Sequence, residues 1–167
     1  MTFVVSDAET KLSILENLVT GDSVKYQTLK TMICHEIDEN QESNPLGCRT
    51  FLRLHRALNF FIKVIESMMV DYPKEAFNSI LSRCYTESLE NYHRFLVRKA
   101  VNCSFYLIGS ESSFVEDLIN NEVVSEKSFS NENDCRNFTS SILIPNLQKL
   151  YNQCQDLYCQ RNILELL

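Results

Sequence analysis

Residues that interrupt helices are scarce in this chain. It has 167 residues but only three glycines and three prolines, the residues that most often end helices and form turns. Apolar side chains instead recur every three or four residues over long stretches, which places them on one face of an α-helix. We therefore predict an all-α fold. A chain of this length fits one domain, so residues 1–167 are expected to form a single domain.

The apolar pattern divides the chain into predicted helices separated by polar breaks. Ser6 is a suitable cap for the first helix, and Gly21 is a suitable end. The polar stretch 41–47 contains Pro45 and is expected to be a loop, whereas Pro145 is expected to kink or restart the last helix. The predicted helices cover residues 6–21, 24–40, 48–70, 76 or 85 to 107, 113–121 and 132–160.

Composition and charge narrow the classes of function. The net charge is −6, so binding to nucleic acid is not expected. The sequence shows neither a signal peptide nor an apolar run of about 18 residues, which predicts a cytosolic protein. Its seven cysteines include no C-x-x-C pair and are expected to be reduced thiols in the core rather than disulfides or metal ligands. We expect no metal and no cofactor.

Three arginines recur on one face of the third predicted helix. At about 100° per residue, Arg49, Arg53 and Arg56 lie within roughly 60° of one another. A cationic stripe on an amphipathic helix is commonly a solvated face. Further along the same stripe, however, Phe60 and Val64 replace the charges. A face that turns from cationic to apolar suits an amphiphile with a phosphate head group, because guanidinium donates paired hydrogen bonds to phosphate oxygens.

His93 and the pair formed by Asp7 and Lys11 have side chains suited to binding or catalysis, but each can also be explained by a purely structural role. His93 lies one turn from Leu89 and Val97, where a histidine is usually part of the core. Sequence supplies it with neither metal-ligand partners nor a nucleophile, so a catalytic role is not predicted. Asp7 and Lys11 stand four residues apart on one predicted helix, which ordinarily produces a surface ion pair.

Read together, these segments resemble the glycolipid-transfer-protein family in order and spacing. The most specific part is the run RTFLRLHRAL, which is similar to the branch of that family that transfers ceramide-1-phosphate. The resemblance covers nearly the whole chain. The similar segments are residues 3–15, 26–32, 49–58, 92–93, 146–158 and 163–167.

The resemblance implies a role for each candidate residue. Asp7 matches an acid that accepts a hydrogen bond from the ceramide amide nitrogen, and His93 matches a histidine that donates to the amide carbonyl. The Arg53 position resembles a tryptophan on which a sugar stacks in the glycolipid-binding branch, and this chain has no tryptophan. Phosphate is thus favoured over sugar. The phosphate-binding cations of the branch match Lys11, Arg49 and Arg53, with Arg56 as a possible auxiliary.

The fold and activity implied by the resemblance are those of a lipid carrier. The fold would be a two-layer helical sandwich of about six to seven helices, N-terminally shortened because the chain begins after the family's first helix. A monomer of this kind, which is not an enzyme, would shelter the chains of a sphingolipid, preferably ceramide-1-phosphate, in an apolar pocket. Transient contact with membranes would then allow transfer between them.

Two alternatives stay open. One is a lipid-sensing or protein-interaction module that binds lipid but does not shuttle it, and saturable binding without transfer would indicate this. The other is a helical-bundle hydrolase using His93 with Asp7, and turnover of ceramide-1-phosphate would indicate that.

Overall fold

A computed structural model describes residues 2–39, 43–70, 75–105 and 132–166. The regular structure in these ranges is helical, with no strand, and the all-α prediction is confirmed. None of the helices described there is both long enough and apolar enough to cross a membrane. In chain order the helices are α1 (Thr2–Gly21), α2 (Ser23–Tyr26), α3 (Leu29–Ile33), α4 (Leu46–Val70), α5 (Phe77–Ser88), α6 (Phe95–Phe105), α7 (Glu132–Phe138) and α8 (Ile144–Cys159).

The first helix begins earlier than predicted. It starts at Thr2, so Ser6 lies within the helix and is not its cap. The Ser6 carbonyl accepts a hydrogen bond from Thr10 Oγ1 at 2.8 Å, a contact typical of a helix interior. Gly21 ends the helix as expected.

The predicted helix over residues 24–40 is interrupted. Thr28 is extended, with φ −134° and ψ 157°, and its Oγ1 accepts a hydrogen bond from the Thr31 amide at 3.1 Å. This capping contact restarts the helix at Leu29, and π-helical structure follows over Cys34–Glu39. Periodicity could not reveal the break because the apolar positions on either side still face the core.

The predicted helix ending at residue 107 is also two helices. A 3₁₀ turn over Glu90–Tyr92 follows α5, and His93 is extended before α6 begins. The Tyr85 hydroxyl lies 2.8 Å from His93 Nδ1, so a side-chain contact stabilises the break. A single continuous helix was therefore a wrong prediction.

The last predicted helix is observed, with a change of helical geometry just before Pro145. A π-helical stretch over Thr139–Leu143 precedes α8, which contains Pro145 in its first turn. Proline has no amide hydrogen to donate, so a change of helical geometry just before it accommodates the ring. The helix predicted over 113–121 lies outside the described residues.

The structure groups into two compact units, Met1–Leu58 with Leu150–Leu167 (unit 1) and Asn59–Lys149 (unit 2). Helices α4 and α8 each contribute residues to both units. The single-domain interpretation stays a prediction.

The core of unit 1 forms around the first half of α4. Tyr158 is fully buried, and its hydroxyl donates to the Cys48 carbonyl at 2.7 Å. Burial raises the pKa of this tyrosine, so it remains a hydrogen-bond donor. The buried apolar residues are Met32, Ile33, Cys48, Leu52 and Tyr158.

A tight reversal follows α8. Asn162 has a φ of 55°, in the left-handed region, and the Ile163 amide donates to the Tyr158 carbonyl at 3.2 Å. The Asn162 amide donates to the Cys159 carbonyl at 3.0 Å, which completes the hydrogen-bond pattern of a Schellman motif. Ile163 and Leu164 consequently turn back onto the core of unit 1.

The core of unit 2 is contributed by the second half of α4 together with α5 and α6. Tyr85 and Phe105 pack edge to face, with ring centroids 5.8 Å apart. The buried residues of this core are Val64, Met68, Phe77, Ile80, Leu81, Cys84, Tyr85 and Phe105.

A buried histidine in unit 1 makes stability sensitive to pH. His55 stacks on Tyr151, with ring centroids 4.2 Å apart and planes 8° from parallel. Its Nε2 lies 2.8 Å from Gln155 Oε1, whereas Nδ1 is buried without a hydrogen-bond partner among the described residues. Burial lowers the pKa of His55 from its ordinary value of 6.5, with the Arg56 charge acting in the same direction.

We predict that acidification destabilises unit 1 through this residue. Below pH 6.5 the unfolded chain binds a proton at His55 while the folded chain does not, so the free energy of unfolding decreases until the pH reaches the folded pKa. Urea unfolding at a series of pH values measures the slope. His55→Phe keeps an aromatic ring against Tyr151 but cannot titrate, so its slope should be smaller. Equal slopes in the two proteins would contradict the prediction.

Candidate functional site

A buried carboxylate fixes the start of α4. Glu36 is 1% exposed, and its two oxygens accept hydrogen bonds from the amides of Gly47 and Cys48, each at 2.8 Å. These amides would otherwise lack partners because they lie in the first turn of a helix. The charge also lies at the positive end of the helix dipole. Glu36 therefore holds the segment that carries the candidate arginines.

Glycine is required at this contact. A Cβ atom built on Gly47 would lie 2.5 Å from Met32 Sδ and 2.8 Å from Glu36 Oε1. The absence of a side chain allows the carboxylate to reach the helix backbone.

Arg49 and Arg53 follow on the first turns of α4. Arg49 is half-buried, and its Nη1 donates to Asn44 Oδ1 in the loop before the helix. Arg49 Nε is buried without a hydrogen-bond partner in the described part of the chain. Arg53, one turn later, is exposed and forms neither a hydrogen bond nor an ion pair with any described residue. Arg53 thus keeps donors that an anionic ligand could use, and Arg49 adds a positive charge one turn before it.

Lys11 and Asp7 form the ion pair that their spacing predicted. Lys11 Nζ contacts Asp7 Oδ2, and the lysine side chain is 15% exposed while that of aspartate is 58% exposed. Lys11 shares a face of α1 with Leu15, which packs against the core of unit 1. The cation is therefore on the inner side of the helix, while the carboxylate reaches solvent.

Arg56 is placed differently from the other two arginines. It is 9% exposed, and its Nη2 donates to the Leu164 carbonyl in the turn after α8. This contact anchors the end of the chain in unit 1. The placement gives Arg56 a structural contact in unit 1, and its auxiliary phosphate-binding role stays a prediction.

His93 lies in unit 2 and is held at both its ring and its backbone. Its Nδ1 is 2.8 Å from the Tyr85 hydroxyl, and its carbonyl accepts a hydrogen bond from Arg98 Nε at 2.7 Å. Burial raises the pKa of Tyr85, so the hydroxyl keeps its proton and can donate to Nδ1. In that tautomer Nε2 carries the imidazole proton, as a donor to an amide carbonyl requires.

Sequence reasoning missed three residues that organise these groups. Glu36, Asn44 and Tyr85 each contact a site residue or its helix across a break in regular structure. No spacing rule links them to their partners. Among the residues described, no group of three or more His, Cys, Asp or Glu side chains could hold a metal ion.

Comparison with known proteins places these features in a family. The family model for glycolipid transfer protein (GLTP) matches residues 1–120. The chain therefore belongs to the glycolipid transfer protein family, a family of lipid transfer proteins rather than enzymes. The family expected from the sequence is confirmed.

Within the family, the chain is similar to ceramide-1-phosphate transfer proteins. That of Homo sapiens is 32% identical over 174 residues, and that of Xenopus tropicalis is 30% identical over 176 residues; each alignment covers 99% of this chain and 76% of the relative. The crystal structure of human ceramide-1-phosphate transfer protein in complex with 12:0 ceramide-1-phosphate matches with a TM-score of 0.84 and 28% identity. That match covers 99% of this chain and 79% of the other, and the predicted fold family is confirmed.

Glu36→Gln should destabilise unit 1. Glutamine can accept only one of the two amide hydrogen bonds and turns an NH₂ group toward the other amide, leaving a buried donor unpaired at a cost of about 1–3 kcal/mol. Urea unfolding measures the change. Glu9→Gln removes the same charge from an exposed position on α1 and should change stability by less than about 0.5 kcal/mol. Equal effects of the two substitutions would show that the Glu36 contact is not stabilising.

Proposed function

We propose that this protein binds ceramide-1-phosphate and transfers it between membranes. Family membership and the ceramide-1-phosphate carried by a solved relative support this proposal. The observation that carries it is the exposure of Arg53 without an ion-pair partner. Arg53 lies one turn after Arg49 and forms no ion pair with a described carboxylate. A helix that presents such cations has charge available for a phosphate head group.

The physical task of such a carrier is to keep two hydrocarbon chains out of water. Exposure costs about 0.8 kcal/mol per methylene, so an unsheltered sphingolipid would face a penalty of tens of kcal/mol. Transfer needs shelter and recognition but no bond cleavage. We propose that Lys11, Arg49 and Arg53 recognise the phosphate, and that Asp7 and His93 keep the amide-binding roles predicted from the resemblance.

The start of α6 has the chemistry of a membrane contact. Phe95 is 65% exposed and Leu96 is 78% exposed. Basic side chains accompany them: Arg94 is exposed, and Lys99 Nζ lies 4.8 Å from the centroid of the Phe95 ring. Apolar side chains can enter the interface while cations attract anionic head groups. We propose that this surface touches membranes transiently.

We also propose that the protein acts as a monomer in the cytosol. Six cysteines are free thiols in the part of the chain that the structure describes. Cys103 and Cys159 are exposed, so the expectation that the thiols lie in the core was wrong for these two. Thiols of this kind persist in a reducing compartment.

The proposal is tested by transfer of fluorescent ceramide-1-phosphate from donor to acceptor vesicles, beside a fluorescent glycosylceramide and a fluorescent phosphatidic acid. Selective transfer of ceramide-1-phosphate is expected. Saturable binding without transfer would indicate a lipid-sensing module instead of a carrier. Chemical turnover of the lipid would indicate an enzyme.

Arg53→Leu should abolish the preference for the phosphate head group. A charge-assisted hydrogen bond contributes about 1.5–3 kcal/mol, so transfer of ceramide-1-phosphate should decrease at least about tenfold. Lys63→Leu is the matched control, because Lys63 is a cation on the same helix paired with Glu87 at 2.9 Å. An unchanged head-group preference in Arg53→Leu would show that Arg53 does not recognise the phosphate.

Leu96→Ala should weaken docking on vesicles that contain phosphatidylserine. Insertion of a leucine side chain into a membrane contributes about 1.5–3 kcal/mol, so the vesicle-bound fraction in a flotation assay should correspond to about tenfold weaker binding. Leu150→Ala removes an equally apolar side chain that is 50% exposed on α8 and should bind as wild type does. Equal losses in both variants would show that docking is not specific to the start of α6.

A further inference from the structure

The loop before α4 holds Asn44 in a defined relation to Arg49. Pro45 directly follows Asn44, and the residue before a proline is restricted to extended backbone conformations. The Pro45 carbonyl accepts the Arg49 amide at 3.0 Å, which is a hydrogen bond of the helical pattern at the start of α4. Two residues further, the Glu36 carboxylate holds the Gly47 amide. The backbone between Asn44 and Arg49 is therefore fixed at several points.

The side chains of these two residues are in contact. Arg49 Nη1 donates to Asn44 Oδ1. Among the described residues, Asn44 is the hydrogen-bond partner of the Arg49 guanidinium. Arg49 is half-buried and its Nε is buried, so the amide contact and the burial together select one orientation of the guanidinium plane. Such alignment matters for phosphate, because paired donation requires the guanidinium fork to face two oxygens.

We propose that Asn44 is a positioning residue for the head-group site, which aligns Arg49 toward the phosphate without neutralising it. This inference rests on the proposed function. A neutral amide accepts one hydrogen bond from Arg49 and leaves its positive charge available. The side-chain NH₂ of Asn44 adds no negative charge near the ligand.

The same chain shows what a carboxylate does in an equivalent contact. Glu87 lies 2.9 Å from Lys63, and Glu75 lies 2.8 Å from Arg83. A carboxylate at position 44 would form such an ion pair with Arg49 and compete with the phosphate for its donors. The identity of residue 44 as asparagine rather than aspartate therefore determines how strongly Arg49 attracts an anion.

The test compares two variants that place the same charge in the same loop. Asn44→Asp puts a carboxylate at the atom that Arg49 contacts, whereas Ser43→Asp puts one on the adjacent exposed residue. Transfer of fluorescent ceramide-1-phosphate between vesicles should decrease about tenfold in Asn44→Asp, the equivalent of about 1.4 kcal/mol. Ser43→Asp should remain within about twofold of wild type, because an exposed charge that does not contact Arg49 interacts with it only weakly in water. Circular dichroism verifies that both variants keep their helicity.

A double-mutant cycle separates positioning from a general structural effect. Asn44→Ala should lower transfer about threefold, as expected for loss of one hydrogen bond made by an exposed side chain. In an Arg49→Ala background the same substitution should have no further effect, since Asn44 acts through Arg49. This cycle also serves if Asn44→Asp fails to fold.

The outcomes distinguish the inference from the function on which it rests. If the wild-type protein transfers ceramide-1-phosphate and the two variants Asn44→Asp and Ser43→Asp transfer it equally well, the role of Asn44 is overturned. The proposed function then stays intact. An equal loss from Asn44→Ala in both backgrounds would likewise overturn it. A wild-type protein that neither binds nor transfers ceramide-1-phosphate would overturn the proposed function itself.

Discussion

The candidate head-group site depends on the contact between the Glu36 carboxylate and the start of α4. It joins the π-helical segment Cys34–Glu39 to the first turn of α4 through two backbone amides. The N-terminus of a helix is often an anion-binding site in its own right, but here its donors are occupied by the protein's own charge. Recognition of an external phosphate must therefore come from side chains. Arg49 and Arg53 lie on the turns that follow, where the backbone is already fixed.

The fold could be predicted from the sequence where the apolar repeat is long and unbroken. Helix α4 was expected over residues 48–70 and is observed over Leu46–Val70, because its apolar side chains follow one helical period throughout. The breaks at Thr28 and before His93 could not be predicted in this way. The first is a local capping contact within a continuing apolar pattern, and the second depends on the hydroxyl of Tyr85.

The candidate site was predictable only in part, for a related reason. Helical spacing placed Arg49 and Arg53 on one face and paired Asp7 with Lys11, because both arrangements are local. The same spacing put Arg56 in the arginine stripe, yet its guanidinium is buried against the Leu164 carbonyl. That partner is more than a hundred residues away in sequence. The three arginines thus share a helical face but differ in what surrounds it.

The origin of unit 1 in two distant stretches of chain, Met1–Leu58 and Leu150–Leu167, bears on the order of events during synthesis. Domains commonly fold as they leave the ribosome, from the N-terminus onward. Unit 2 is contiguous and has all of its residues available first. Unit 1 cannot complete its core until Tyr158 and the turn at Asn162 have been synthesised, because this segment contributes to the core and provides the partner of Arg56. The helix that carries Arg49 and Arg53 is therefore translated well before the segment that completes the core packed beneath it.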